Sequence, residues 1–566
     1  MFVTCNGSVA IGRRARKTLR TLIIASCIKQ LGWRHMAGLQ RSVRWAVSGF
    51  LWVLALSSAG WVGLAQSTPP VPGPTPAPAA AAAQSNAKDS AKTETKITKE
   101  QAKALFKSVD EIMAFASKDS KLPIEHSVKR TLVSREEVNK FLRQKFDEDE
   151  GTKRMERAEI VLKKFGLLDR DFHLRPFLVS LLTEQIAGFY DDKTKTVNLL
   201  DWIEPEEQKS VLAHELTHAL QDQKVDLSTW SDVEVKGIAK TASEDNHHIQ
   251  MDEGDTAREA VTEGQAMAVF VDYGLQSSGK TIADAPDMGD KLKELTNDTS
   301  GSPILARAPL LLQQSLLFPY ADGLDFEYKL LRKSGRDAAF AGVLARPPSS
   351  SFEIIHPDAY IQHTPVPVLR LPDIHPLIEA EYEPYDIGVM GELDVRIVAE
   401  LFGGPQLAAA LSPEWKGGIY YAAQRKSATT AAQKESTASI GLIYYSKWAN
   451  EDSASSFERI YSAQLARKYS GLKRRNKDEA DDTEEVYTTN EGDVLITTTG
   501  TGVFVAEGFD VALARKLRDT ILSVQSDAPL QVAKTLPAQL PIESGSPAMS
   551  LAQFMNGFGV LKAALR

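Results

Sequence analysis

The sequence predicts an α+β protein: a mostly helical domain carrying a small β-sheet, followed by a second, C-terminal α+β domain. Three observations carry this expectation. Apolar residues recur at helical spacing through most of residues 97–345. Within that region one stretch, 187–200, reads as a β-hairpin. Beyond about residue 377, apolar and aromatic runs alternate with helical segments, the order expected of helices packed on one face of an antiparallel sheet. The chain has 566 residues, too many for one ordinary domain, and its 43% apolar and 25% charged residues suit a soluble globular protein. The expected divisions are a signal-peptide region at 1–65, a linker at 66–92, the helical domain at 93–376, the α+β domain at 377–526 and a tail at 527–566.

Charge is unevenly spread. Residues 1–65 hold nine Lys or Arg and no Asp or Glu, although the whole chain has a net charge of -8. Setting those nine aside leaves 57 basic residues against 74 acidic ones after position 65. A nucleic-acid backbone binder carries the opposite sign. The two cysteines, Cys5 and Cys27, exclude a disulfide-stapled scaffold and a cysteine-rich zinc ribbon. From Ala46 to Ala65 twenty residues carry no charge; Arg41 and Arg44 precede them and Gly63-Leu64-Ala65 ends them. This is the form of a cleaved secretory signal, so the protein is expected to be exported, periplasmic or extracellular. A run of that length also spans a bilayer, and an uncleaved anchor is the alternative. A signal starting at Met36 has normal proportions, which makes Met36 the expected start. Residues 66–92, rich in Pro, Ala, Ser and Thr, read as a flexible spacer.

Helices are expected at 97–117, 135–147 and 153–167. Thr98 with Gln101, and Ser134 with Glu137, have the capping-box spacing at the first two starts. The hairpin turns at Asp191-Asp192-Lys193-Thr194. Helices follow at about 205–222 and 252–275, then mostly helical sequence at 301–345 and an irregular Pro-rich stretch at 346–376. In the last domain, helices are expected at 391–402, 451–468 and 510–524. Strands are expected at 417–424, 439–446, 486–489, 493–499 and 502–506, with the charged run 473–485 as a solvated loop.

One constellation carries chemistry: Val211-Leu-Ala-His214-Glu215-Leu-Thr-His218-Ala-Leu-Gln-Asp222. Two histidines at i and i+4 share one helix face, so both imidazoles reach one metal ion. Glu215 is placed to accept a proton from a water beside that ion. Imidazole donors, and chemistry without electron transfer, favour Zn2+. A zinc site of this kind needs a third protein ligand besides the two imidazoles. Asp222, four residues beyond His218, is a candidate to orient a ligand imidazole. His247 and His248 are adjacent, so a helix points them about 100° apart, and they are read as surface residues.

The segment VLAHELTHALQDQ resembles the active-site helix of zinc metallopeptidases of the zincin superfamily, and is very similar to the thermolysin version over about 13 residues. The resemblance implies a zincin-like catalytic domain, with the 187–200 hairpin compatible with the substrate-binding edge strand of such folds. In the gluzincin branch the third ligand is a Glu within E-G-x-A, which Glu263-Gly264-Gln265-Ala266 matches. The stretch Glu259-Ala-Val-Thr-Glu263 also resembles a pattern in which the first acid binds zinc and the second orients a histidine. The resemblance further implies a Tyr or His that stabilises the oxyanion, for which Tyr320, His356 and Tyr360 are candidates. The function so implied is an exported zinc-dependent metallopeptidase acting on a peptide or protein substrate, with Glu215 as general base. The alternative is a catalytically inactive, peptidase-like binding or scaffold protein of the envelope. No nucleic-acid partner is expected, and a membrane only through segment 46–65 if it is retained.

Overall fold

The computed structural model describes residues 96–146, 149–185, 188–231, 239–284, 302–475, 484–525 and 531–532. The expected targeting segment, the linker and nearly all of the tail lie outside the described residues. Among the described residues no helix is long and apolar enough to cross a membrane.

The chain opens with α1 (Lys99–Ser120), whose start is fixed by the expected capping box. Thr98 Oγ1 accepts from the Gln101 amide at 3.2 Å and Gln101 Oε1 accepts from the Thr98 amide at 2.7 Å. Strand β1 (Lys129–Val133) follows, then α2 (Arg135–Phe146), α3 (Asp149–Phe165) and α4 (Leu174–Gln185). Ser134 and Glu137 form the same reciprocal cap ahead of α2. The expected hairpin is present as β2 (Phe189–Asp191) and β3 (Thr196–Leu200), paired antiparallel. Its turn is held by Asp191 Oδ1, which accepts the Lys193 amide at 3.0 Å. Strand β1, unforeseen in the sequence, pairs parallel with β3 and leaves β2 at the edge of a three-stranded sheet.

Under this sheet lie the long helices. α5 (Pro205–Val225) packs on α1, and also on the second of a pair, α6 (Ala242–Met251) and α7 (Gly254–Leu275). The expected helix at 252–275 is thus α7, with α6 separated from it at Asp252. α8 (Leu310–Ser334) packs along α7. α5 is buried almost continuously from Leu212 to Asp222, and α7 from Ala260 to Phe270. These helices form the interior, as an all-round buried pattern requires. Two glycines allow α7 and α8 to touch by backbone. A Cβ on Gly264 would stand 2.2 Å from the Gly323 carbonyl oxygen, and one on Gly323 would stand 2.2 Å from that of Ala260. The Pro-rich stretch after α8 contains short helices at Ser351–Ile355, Pro357–Gln362 and His375–Ile378.

The remainder is α+β, built on a large antiparallel sheet. Its strands are β4 (Tyr382–Val389), β5 (Trp415–Arg425), β6 (Ile440–Trp448), β7 (Lys473–Arg474), β8 (Glu484–Thr489), β9 (Gly492–Thr499) and β10 (Gly502–Phe509), in the spatial order β4-β5-β6-β10-β9-β8-β7. Helices α9 (Glu392–Gly403), α10 (Glu451–Lys468) and α11 (Val511–Ser523) complete it. The expectation of helices on one face needs correction. Successive residues of β5, β6 and β10 are buried, so both faces are covered. Tyr444 meets Phe165 of α3 and Phe457 of α10 on one face. On the other, Tyr421 meets His375, and Glu484 of β8 pairs with Arg515 and Arg518 of α11. Glu484 belongs to the charged run expected to be a solvated loop, yet it is buried against those two guanidinium groups. Burying an unpaired carboxylate would be costly, and the pair offsets that cost. Buried apolar side chains form one continuous core from Leu105 to Ile521.

Candidate metal centre

Helices α5 and α7 bring three donor side chains together. His214 and His218 stand one turn apart on α5 with their Nε2 atoms 3.1 Å apart. Glu263 of α7 reaches both: Oε2 is 3.0 Å from His214 Nε2 and Oε1 is 3.3 Å from His218 Nε2. All three are buried, Glu263 with 1% of its surface exposed. Among the described residues this is the only group of three His, Cys, Asp or Glu side chains whose donor atoms lie within 4.8 Å of one another. Ligands at about 2.0–2.1 Å from a tetrahedral ion stand about 3.3 Å apart. These separations therefore fit one ion held by two imidazoles and a carboxylate. Glu259 is half-buried one turn earlier on α7 and lies outside this group. Glu263 is the acid that meets both rings.

The amide of Gln221 orients His218. Its Oε1 lies 2.8 Å from His218 Nδ1, while its Nε2 donates to the Thr262 carbonyl at 3.0 Å and to Gln265 Oε1 at 2.9 Å. Gln265 in turn donates to the carbonyls of Ala339 and Phe340. A carbonyl only accepts, so the Gln221 nitrogen must face Thr262, and its oxygen must accept from Nδ1–H. His218 Nε2 then presents a lone pair toward the site.

Asp222, the residue expected in that orienting role, is occupied elsewhere. It accepts from the Tyr190 hydroxyl at 2.7 Å, from Lys195 Nζ at 2.8 Å and from the Leu227 amide at 3.0 Å. It ties the hairpin to the end of α5. The i+3 position of Gln221 was the signal available in the sequence, but an acid at i+4 was the more obvious partner.

Glu215 projects from α5 toward the small sheet, where its Oε2 accepts from the Tyr190 amide at 2.8 Å. The general-base candidate thus touches the backbone of edge strand β2. Tyr320 of α8 stacks on His214, with ring centroids 6.3 Å apart and planes 22° from parallel. The other two oxyanion candidates are engaged away from the cluster. His356 Nε2 lies 2.6 Å from Glu392, and the Tyr360 hydroxyl donates to the Arg346 carbonyl. His247 and His248 lie on α6, outside the donor cluster. His248 is buried rather than on the surface, and burial pushes its imidazole down to about 4.

No protein-family model matches this chain, and no curated protein and no solved structure matches it at a significant level.

Proposed function

We propose that this protein is an exported zinc metallopeptidase of the zincin superfamily, of gluzincin type, with His214, His218 and Glu263 holding the zinc. The observation that carries the reading is the meeting of two i,i+4 imidazoles and one carboxylate at separations of 3.0–3.3 Å, with Glu215 beside them. The donor set of two His and one Glu suits a zinc site that keeps one position open. When bound, zinc supplies Lewis-acid polarisation of a carbonyl and lowers the pKa of a water at its open position to about 7.

The chain's own residues account for the remaining work. Glu215 takes the proton from the attacking water on its carboxylate and passes it to the departing amine. Its contact with the Tyr190 amide places that carboxylate beside edge strand β2, along which an extended peptide would lie. Tyr320, stacked on His214, is the nearest of the three candidate donors for the oxyanion. Gln221 holds His218 in the tautomer that a metal needs.

The test is hydrolysis of casein or a peptide library by the purified chain. The reading expects cleavage that a chelator abolishes, that zinc restores, and that His214→Ala removes. Metal uptake at the cluster with no hydrolysis of any peptide would instead fit a non-cleaving binding protein.

A further inference from the structure

One residue of the edge strand grips the site helix at two points. The Tyr190 amide donates to Glu215 Oε2 at 2.8 Å, and the Tyr190 hydroxyl donates to Asp222 Oδ2 at 2.7 Å. Glu215 and Asp222 are i and i+7 on α5, so they stand on one face of the helix, two turns and about 10 Å of rise apart. The Tyr190 ring spans that interval, buried at 1% exposure. A tyrosine side chain has only two rotatable bonds before its ring is fixed, so it serves as a stiff strut along the helix.

The far end of the strut is locked. Both oxygens of the buried Asp222 carboxylate are engaged, Oδ2 by the phenol and Oδ1 by Lys195 Nζ at 2.8 Å and the Leu227 amide at 3.0 Å. Leu227 follows the end of α5, and Lys195 lies in the β2–β3 turn with a left-handed backbone, φ 54°, uncommon for a residue with a side chain. Burial and the Asp222 carboxylate push the phenol up, so it keeps its proton and donates it. An apolar pair of the same shape would fill this place at nearly the same stability. A hydroxyl on a carboxylate adds a fixed distance. The near end of the strut is the Tyr190 amide, whose position sets where the Glu215 carboxylate rests.

We propose that Tyr190, anchored by Asp222, is a positioning residue that holds the Glu215 carboxylate where its proton transfer needs it. This role rests on the peptidase reading and adds to it the pair of side chains that set its base. Neither Tyr190 nor Asp222 belongs to the donor cluster, so their effect falls on the base and not on the metal. Strand β2 is also held by its antiparallel pairing with β3, from Phe189 opposite Asn198 to Asp191 opposite Thr196. The edge along which a peptide would lie therefore survives loss of the hydroxyl, and substrate binding changes little. What is lost is precision. Without the strut the amide at position 190 shifts against α5, and a misplacement of about 1 Å can slow a catalytic step by about 100-fold.

The test measures kcat, KM and zinc per chain for Tyr190→Phe in the full chain, alone and combined with Glu215→Gln, on a peptide that the parent chain cleaves. The expected result for Tyr190→Phe is a kcat about tenfold below the parent, with KM within about twofold and zinc content unchanged. Added to Glu215→Gln, it should cause no further fall, because the strut then has no base to place. A folded, zinc-loaded Tyr190→Phe chain with the parental kcat overturns the proposal and leaves the peptidase reading standing. An equal fall in the Glu215→Gln background, or loss of zinc or of the fold in Tyr190→Phe, gives the hydroxyl a structural role only and overturns the proposal as well. A parent chain without chelator-sensitive hydrolysis overturns the peptidase reading and this proposal with it.

Discussion

The amide oxygen of Gln221 lies 2.8 Å from Nδ1 of His218, and this contact decides which ring nitrogen of His218 carries the proton. The decision is relayed from outside the cluster. Thr262, Gln265 and the carbonyls at 339–340 fix the Gln221 amide, and the amide fixes the ring. Replacing Gln221 with Ala frees the imidazole to rotate and change tautomer. Loss of such an outer partner weakens metal binding by about 10–100-fold. A zinc-competition titration against a chromophoric chelator should show that drop with the helical circular dichroism unchanged. Unaltered affinity would assign the contact a packing role only.

The two candidate acids on α7 make opposite predictions. Glu263 meets both imidazoles, whereas Glu259 lies outside the donor group. Glu263→Gln replaces a charged donor with a neutral amide and should lower zinc affinity by more than about 100-fold. Glu259→Gln should leave zinc content as in the parent chain. The measurement is metal per chain after dialysis.

The glycine pair between α7 and α8 predicts a stability effect beside the site. Gly264→Ala would drive a methyl group to 2.2 Å from the Gly323 carbonyl oxygen, backbone that cannot swing aside. Overpacking of this kind costs about 1–3 kcal/mol. Because Glu263 precedes Gly264, the helix shift that relieves the clash also displaces a metal donor. Urea unfolding of Gly264→Ala should show a lower midpoint, accompanied by weaker zinc binding.

A group of buried acids joins α7 to the sheet and sets a pH dependence. Burial, with the charge of Glu253 adding to it, pushes the Asp394 carboxyl up to about 8, and burial pushes Glu253 up to about 7. Their neighbours Asp252 and Asp386 are also raised by burial. The folded chain thus keeps protons that the unfolded chain, with ordinary values of 3.8 and 4.5, has released. Stability from these groups is complete below about pH 4 and is lost as pH rises through about 7 to 8. With chelator present throughout, the urea midpoint should fall between about pH 5 and about pH 9. Asp394→Asn, which has no proton to lose, should flatten that fall.

The sequence disclosed most of the elements and the centre of the site. α10 was expected at 451–468 and is found there, because Asn450 caps its start and helical periodicity runs through it. The His214–Glu215–His218 spacing was legible because a helix converts it into one face. Strand β4 was not foreseen: Pro384 and several acids obscure it, and the strand tolerates them as an edge strand with an irregularity between Pro384 and Asp386. Strand β1 was hidden because its sequence, Lys-Arg-Thr-Leu-Val, is half-exposed and becomes a strand only by pairing with β3. The exchange of Asp222 for Gln221 was invisible because it depends on Tyr190 and Lys195, distant in sequence, claiming the acid.

The most direct test of the central claim is peptide hydrolysis by Glu215→Gln measured beside its zinc content. Glu215 is not among the three donors that meet at the cluster, so the variant should hold as much zinc as the parent chain. It loses the proton acceptor, so hydrolysis should fall by about 100-fold or more. Glu215→Gln that retains zinc and still cleaves peptides at the parental rate would contradict the account.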